Sequence, residues 1–237
     1  MHSIRYAALI LAVAVLSGCT STLRTSESFQ QERGSIESIA VMPPQVTYQV
    51  RTATTTEASP ETEREVNAVI LQALEQTLAD TRIAVAPLGI TDSLLAVDQD
   101  LALGLTRARE SFGSVADSLY STKAKVLTLT VDPEIGQFAD RADSDYLLFA
   151  RGTSYGSSGG ATARDAVVAV ASVLLFGGMA ITQQEGLQLE FALVNANTAE
   201  VVWYNRNKPD QSGFDPLDVE SVGKLCAKLL KPLTEAS

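Results

Sequence analysis

Blocks of apolar and polar residues predict an α/β domain at the start of the chain. Residues 35–42 are apolar and end at Pro43-Pro44, which predicts an interior strand, and residues 46–50 follow as an edge strand. Ser59-Pro60-Glu61 then opens a helix whose apolar positions repeat about every 3.6 residues as far as Ala79. Together with a second strand over residues 82–88, this order predicts a strand–helix–strand unit over one sheet.

The middle of the chain carries a weaker pattern. Over residues 91–131, apolar positions predict a helix around Leu105 and another around Leu119, and the alternation in residues 126–131 fits a strand or a helix end. Asp132-Pro133-Glu134 then opens a short helix that ends near residue 142. Residues 145–151 follow as an apolar strand.

A glycine-rich stretch and an apolar helix come next. Residues 152–160 lack the spacing of a phosphate-binding loop or of a dinucleotide site, so they predict a surface loop rather than a phosphate cradle. Residues 162–165 form a capping box before an apolar helix over residues 163–176. This helix is apolar on all faces and too short to cross a bilayer. Burial in the core is the favoured interpretation, and contact with a bilayer interface or with a partner is the alternative.

The C-terminal part predicts a β-hairpin followed by a helix. Apolar and polar residues alternate over residues 187–194, residues 195–198 make a turn, and residues 200–205 return as the second strand. Asp215-Pro216 opens the last helix, whose apolar stripe includes Cys226, so this cysteine is predicted to be buried rather than reactive. The predicted fold class is therefore α/β: a single sheet of about four to six mixed strands, with helices packed on it.

The amino terminus has the organisation of a secretory signal. Arg5 precedes an uncharged run, and Leu16-Ser17-Gly18-Cys19 has the residue types of a bacterial lipobox. In that class of signals the chain is cut before the cysteine, whose sulfur carries a lipid. Residues 1–18 are thus predicted to be a removed signal peptide, Cys19 the site of lipid attachment, residues 19–34 a flexible tether and residues 35–237 a single periplasmic domain. An ordinary signal peptide ending near a cysteine is the alternative.

Charge and composition exclude several classes of function. The full chain carries a net charge of −10, and loss of Arg5 with the signal peptide makes it −11, which disfavours nucleic acid as a partner. Acyl chains, rather than a basic patch, must then hold the protein to a membrane. The one histidine is His2, so the mature chain cannot build a Ser-His-Asp triad or a histidine metal site. We expect no catalytic residue, metal or cofactor.

Several of these elements resemble a known group of envelope proteins. They are the lipobox, the strand ending Val41-Met42-Pro43-Pro44, the strand Asp145-Tyr146-Leu147-Leu148-Phe149 and the hairpin that ends at Trp203. In this order they resemble bacterial outer-membrane lipoproteins with a domain similar to the TolB amino-terminal domain, such as the curli secretion channel lipoprotein and the lipoprotein activators of penicillin-binding proteins. The family hairpin often has an acid and a glycine where this sequence has Asn195 and Ala199. By the same resemblance, Thr20, rather than an aspartate after Cys19, implies the outer membrane, facing the periplasm.

Two functions are compatible with these observations. The first is a non-enzymatic accessory or assembly factor that binds other envelope proteins, with a homo-oligomer as one form of that binding. The alternative is an oligomeric pore or secretion-channel-like lipoprotein that uses residues 152–186 for membrane or subunit contact. The continuous apolar run within that segment lacks the alternation of barrel strands, which weakens the pore. An acid–base hydrolase built on aspartates and glutamates is disfavoured because the acids are scattered over predicted solvated faces.

Overall fold

One mixed β-sheet organises the part of the chain that the computed structural model describes, which is residues 22–51, 55–121, 124, 126–157, 186–207 and 215–235. Its eight strands are β1 Arg24–Thr25, β2 Ser38–Val41, β3 Gln45–Arg51, β4 Thr56–Ala58, β5 Ala84–Ala86, β6 Tyr146–Ser157, β7 Gly186–Asn195 and β8 Glu200–Arg206. The helices are α1 Phe29–Glu32, α2 Pro60–Ala79, α3 Asp92–Val97, α4 Gln99–Ser121, α5 Gly136–Ala142 and α6 Val219–Thr234.

The strand order is β1-β8-β7-β6-β2-β5, and β3 pairs with β6 on one side and with β4 on the other. The predicted α/β class, the mixed sheet and the hairpin followed by a helix are confirmed. The predicted sheet of four to six strands was too small. The additional strands β1 and β4 are short and lie in polar stretches, where no apolar alternation marks them.

The strand–helix–strand unit forms as predicted, since β2 and β5 are parallel neighbours joined through α2. Pro60 occupies the first turn of α2, and the buried positions of this helix include Val66, Ile70 and Leu74. The segment after Pro43-Pro44 is not an edge strand, because β3 lies between β6 and β4. The long strand β6 thus pairs with β2 near its beginning and with β3 along the rest of its length.

Helices cover both faces of the sheet. On one face, α2 and α6 pack over a core that includes Leu148, Leu189 and Trp203. On the other face, α4 and α5 pack over a second core that includes Phe149 and Val194. The ring centroids of Phe112 in α4 and Phe149 in β6 are 4.8 Å apart. Because both faces are covered, the strands between them are buried on both sides.

The hairpin of β7 and β8 ends in a four-residue turn, which places Ala199 in the left-handed region at φ 57°. The Asn195 side chain accepts hydrogen bonds from the backbone N–H groups of Asn197 and Thr198, at 3.0 and 3.4 Å. Ala199 occupies the position at which the resembling family often has a glycine. Here an alanine, only 3% exposed, adopts the conformation that usually favours glycine.

The N-terminal segment is docked on the sheet from the first described residue, which differs from the tether expected over residues 19–34. Arg24 and Thr25 pair with Tyr204 and Trp203 as β1, and Phe29 is 1% exposed in the core. The polar composition of this segment predicted flexibility. Its few apolar side chains and its backbone pairing hold it in place instead.

Three further predictions differ from the structure in detail. Residues 99–121 are one continuous helix rather than two, and residues 126–131 are extended with two isolated bridges, from Val126 to Thr25 and from Thr130 to Glu200. The last helix is capped by Asp218 rather than opened at Asp215, since the Asp218 carboxylate accepts from the backbone N–H groups of the first turn. The short helix after Asp132 is confirmed.

Candidate functional site

The predicted lipid attachment site, Cys19, lies outside the described residues, as do the capping box and the apolar helix predicted over residues 163–176. In the described part of the chain, no helix is long and apolar enough to cross a membrane. Within that same part, no group of three or more His, Cys, Asp or Glu side chains could hold a metal ion. Cys226 is buried as predicted, and burial raises the pKa of its thiol to about 12.

The glycine-rich stretch is not a loop over residues 152–157, because these residues form the second half of β6 between β3 and β7. Gly152 and Gly156 are required there for close packing. A Cβ atom on Gly152 would lie 2.0 Å from the backbone oxygen of Gln188, and a Cβ on Gly156 would lie 2.0 Å from the hydroxyl of Tyr48. Residues 158–160 and most of the segment assigned to the alternative pore, residues 158–185, lie outside the described chain.

This extension of β6 creates a polar face on the sheet, which we call the polar platform. Its side chains lie on the α4 side, opposite the buried residues of the same strands, because successive residues of a strand face opposite sides. The cross-strand partners form three rows: Gln45–Arg151–Glu190–Arg206, Thr47–Thr153–Gln188 and Gln49–Tyr155.

The platform begins where α4 stops covering the sheet. The Arg151 guanidinium donates to the backbone oxygen of Gly113 at 2.9 Å and to the carboxylate of Asp117 at 2.8 Å, which ties the sheet to α4. Beyond that level, Thr47 is exposed and Tyr155 is 45% exposed. In the outer two rows, Thr47 and Tyr155 are thus exposed, and the other three side chains are half-buried.

An ionic network borders the platform. Glu190, 9% exposed, lies 3.7 Å from Nε of Arg151 and accepts a 2.7 Å hydrogen bond from the hydroxyl of the fully buried Tyr204. Burial, followed by the charge of Glu190 and their hydrogen bond, raises the pKa of Tyr204, so this phenol stays protonated at neutral pH. Arg24 donates to the backbone oxygen of Leu119, and its guanidinium lies 6.0 Å from the centroid of the Tyr204 ring.

The chemistry of the platform suits binding rather than proton transfer. Amides and hydroxyls supply hydrogen-bond donors and acceptors, and an exposed tyrosine is typical of protein–protein contact sites. The one acid among the platform residues, Glu190, is already hydrogen-bonded to Tyr204 and ion-paired with Arg151.

A second concave surface lies between α2 and α6. It has a volume of about 700 Å³, and its lining includes the small residues Ala73, Thr77, Gly223 and Ala227. Lys224–Glu220 and Lys231–Glu235 ion pairs, of 2.7 and 3.5 Å, lie on the exposed side of α6. This surface is concave, but its acidic and basic residues are nearly balanced in number. Its charge therefore favours no class of ligand.

Sequence reasoning found part of the platform and missed the rest. The alternation in β7 correctly placed Gln188 and Glu190 opposite the apolar side chains of that strand. Arg151 and Tyr155 were missed as a pair because the glycines between and after them indicated a loop. The available signal was the strict alternation of larger side chains with Gly152, Ser154 and Gly156.

The chain has similar solved structures but no matching protein family. No protein-family model matches the sequence, and no curated protein matches it. Among solved structures, the chain is similar to two structures of a PelC dodecamer from Paraburkholderia phytofirmans, with 14% identity, TM-scores of 0.32 and 0.30, and coverage of 84% of this chain and 89% of that one. It is also similar to the LpoB C-terminal domain from Salmonella enterica, with 11% identity, a TM-score of 0.27, and coverage of 81% and 84%. Likenesses at these TM-scores carry no argument about assembly or partners.

Proposed function

We propose that this protein is a non-enzymatic, lipid-anchored protein of the bacterial outer membrane, facing the periplasm, that acts as an accessory or assembly factor by binding other envelope proteins. The observation that carries the proposal is the polar platform, in which hydrogen-bonding side chains stand in register across four strands around the exposed Tyr155. The lipobox that ends at Cys19 supports the proposed location at the membrane.

The electrostatics of the platform support protein as the partner. The first row alternates in sign, since Glu190 stands between Arg151 and Arg206, whereas the outer rows are uncharged. A surface of this kind has no single-sign field to attract a polyanion. Hydrogen-bond complementarity around an aromatic anchor is the recognition mode that remains.

Photocrosslinking in living cells tests this proposal. A photoreactive amino acid is placed at Gln49 or Tyr155 on the platform, and at the exposed Gln72 on the outer side of α2 as a matched control. We expect adducts of discrete size at the two platform positions and none at the control position. An adduct of twice the protein mass identifies a second copy as the partner, and an adduct of another mass identifies a different protein. Equal labelling at all three positions contradicts the proposal.

A further inference from the structure

The N-terminal segment fixes one edge of the sheet close to the predicted anchor. The Thr22 hydroxyl donates to the side-chain oxygen of Asn205 at 3.0 Å and accepts from the backbone N–H of Arg206 at 3.2 Å. The backbone N–H of Ser26 donates to the carbonyl of Val202 at 2.8 Å, beside the β1 pairing. The chain is thus held against β8 from Thr22 onward.

Few residues separate this edge from Cys19. Thr22 follows Cys19 by three residues, and three extended residues span at most about 10 Å. Bilayer-inserted acyl chains on Cys19 therefore keep Thr22 within about that distance of the headgroups. The sheet has six strands from β1 to β5, spaced about 4.8 Å apart, so its far edge lies roughly 24 Å away.

One extended segment lies beside this edge. Residues 126–131 run along β1 and β8, with Leu127 donating from its N–H to the carbonyl of Thr25 at 2.9 Å. Their inner side chains are buried or half-buried, whereas Thr128, Thr130 and Val126, the last 47% exposed, face outward. This outward row carries no carboxylate of its own, whereas the exposed Glu27 follows β1 and the half-buried Glu200 pairs with Thr130. The short distance to Cys19, rather than the charge of the edge, therefore places this surface next to the bilayer.

We propose that this surface, formed by Thr22, β1 and the outward row Val126, Thr128 and Thr130, faces the outer-membrane bilayer at close range, and we call it the anchor-side edge. The proposal rests on the proposed lipidation of Cys19. It places the sheet with β1 toward the membrane and β5 toward the periplasm. The polar platform, which extends across the sheet away from β1, then stays open to a periplasmic partner.

Lipid quenching of single-site fluorophores tests the orientation in the full lipidated chain. A thiol-reactive fluorophore is attached to Val126→Cys on the anchor-side edge or to Ala84→Cys on the exposed part of β5. Cys226 does not compete for the label because it is buried and its thiol pKa is raised. The protein is reconstituted into vesicles of phosphatidylethanolamine and phosphatidylglycerol that contain a headgroup-nitroxide lipid, after intact-mass analysis has shown the acyl chains.

We expect several-fold stronger quenching at Val126 than at Ala84. Inserting about 20 Gly and Ser residues between Cys19 and Thr22 keeps the lipid but provides roughly 25 Å of slack, so the difference between the two sites should collapse. Thr128→Cys serves as a second reporter if Val126→Cys does not fold.

Two outcomes overturn this orientation. The first is equal quenching at the two sites, or stronger quenching at Ala84, in the lipidated native-length chain. The second is a probe at Val126 that is shielded from water but not quenched by lipid, which assigns the edge to a second copy or another protein. A chain without acyl groups contradicts the proposed lipid anchor instead, so the two failures are distinguishable.

Discussion

The hydroxyl of Tyr204 donates a 2.7 Å hydrogen bond to the carboxylate of Glu190, and both side chains are buried between the sheet and α4. Arg151 completes the cluster from the other side of Glu190 and reaches the carboxylate of Asp117 in α4. This arrangement joins three strands to a helix at the border of the polar platform. It therefore couples the stability of the domain to the geometry of its candidate binding surface.

Removing the Tyr204 hydroxyl should destabilise the domain. Tyr204→Phe leaves the buried Glu190 without its phenolic donor, and hydrogen bonds to charged groups contribute about 1.5–3 kcal/mol. We expect a loss of that size in the free energy of unfolding, measured by urea denaturation of the unlipidated chain without residues 1–19. Tyr155→Phe is the matched control and should change it by less than about 0.5 kcal/mol, because Tyr155 is exposed. Equal effects of the two substitutions would contradict the network.

Gly152→Ala separates a strand from a loop at this position. The added methyl group meets the backbone oxygen of Gln188, which can move only if β6 and β7 separate, so we expect a loss of about 3 kcal/mol or more in stability. Gly156→Ala meets the side chain of Tyr48, so Tyr48→Phe should recover part of its loss. Thermal unfolding of the single and double variants measures both effects. Unchanged melting temperatures would contradict the strand and indicate a loop over residues 152–157.

Replacing glycine with alanine should change the stability of the domain in opposite directions at two other positions. Gly113 lies inside α4 with open space around its Cα, so Gly113→Ala should stabilise the domain by about 0.5–1 kcal/mol. Gly89 has φ +64°, where a side chain is strained, so Gly89→Ala should cost about 1 kcal/mol. Urea denaturation gives both values, and a change of the same sign at both sites would contradict the backbone geometry.

The buried thiol of Cys226 predicts a pH dependence of stability. Burial raises its pKa from 9.0 to about 12, so the folded state keeps a proton that the unfolded state releases above pH 9. The contribution of this thiol is therefore fully present below pH 9 and declines as the pH rises toward 12. Comparing the unlipidated chain with its Cys226→Ala variant isolates this effect: the difference in their unfolding free energies should be constant below pH 9 and shrink above it. A constant difference up to pH 11 would show that the thiol is accessible.

Long periodic elements of this fold could be predicted from the sequence, and short ones could not. The apolar stripe from Val66 to Leu78 and the alternation around Phe191 each repeat often enough to identify a helix and a strand. β1 contributes two residues and is stabilised by pairing with β8, which is a tertiary effect that local sequence does not encode. The same holds for the position of Thr22 on the sheet.

The polar platform was harder to predict because it depends on register. Which residue of β3 stands beside Tyr155 is set by the parallel pairing of β3 with β6, and the distance of about 100 residues between them leaves no local trace. Gly152 and Gly156 are also compatible with two different structures, a flexible loop or a close contact between strands. Only the neighbouring strands decide between these structures.

The intact mass of the protein extracted from outer membranes tests the central claim most directly. We predict a chain that begins at Cys19, lacks residues 1–18 and carries covalent acyl chains, and we predict that Cys19→Ser abolishes both the acylation and the cleavage before residue 19. A mature chain that begins elsewhere, or that carries an unmodified Cys19, would contradict the lipid anchor and the orientation inferred from it.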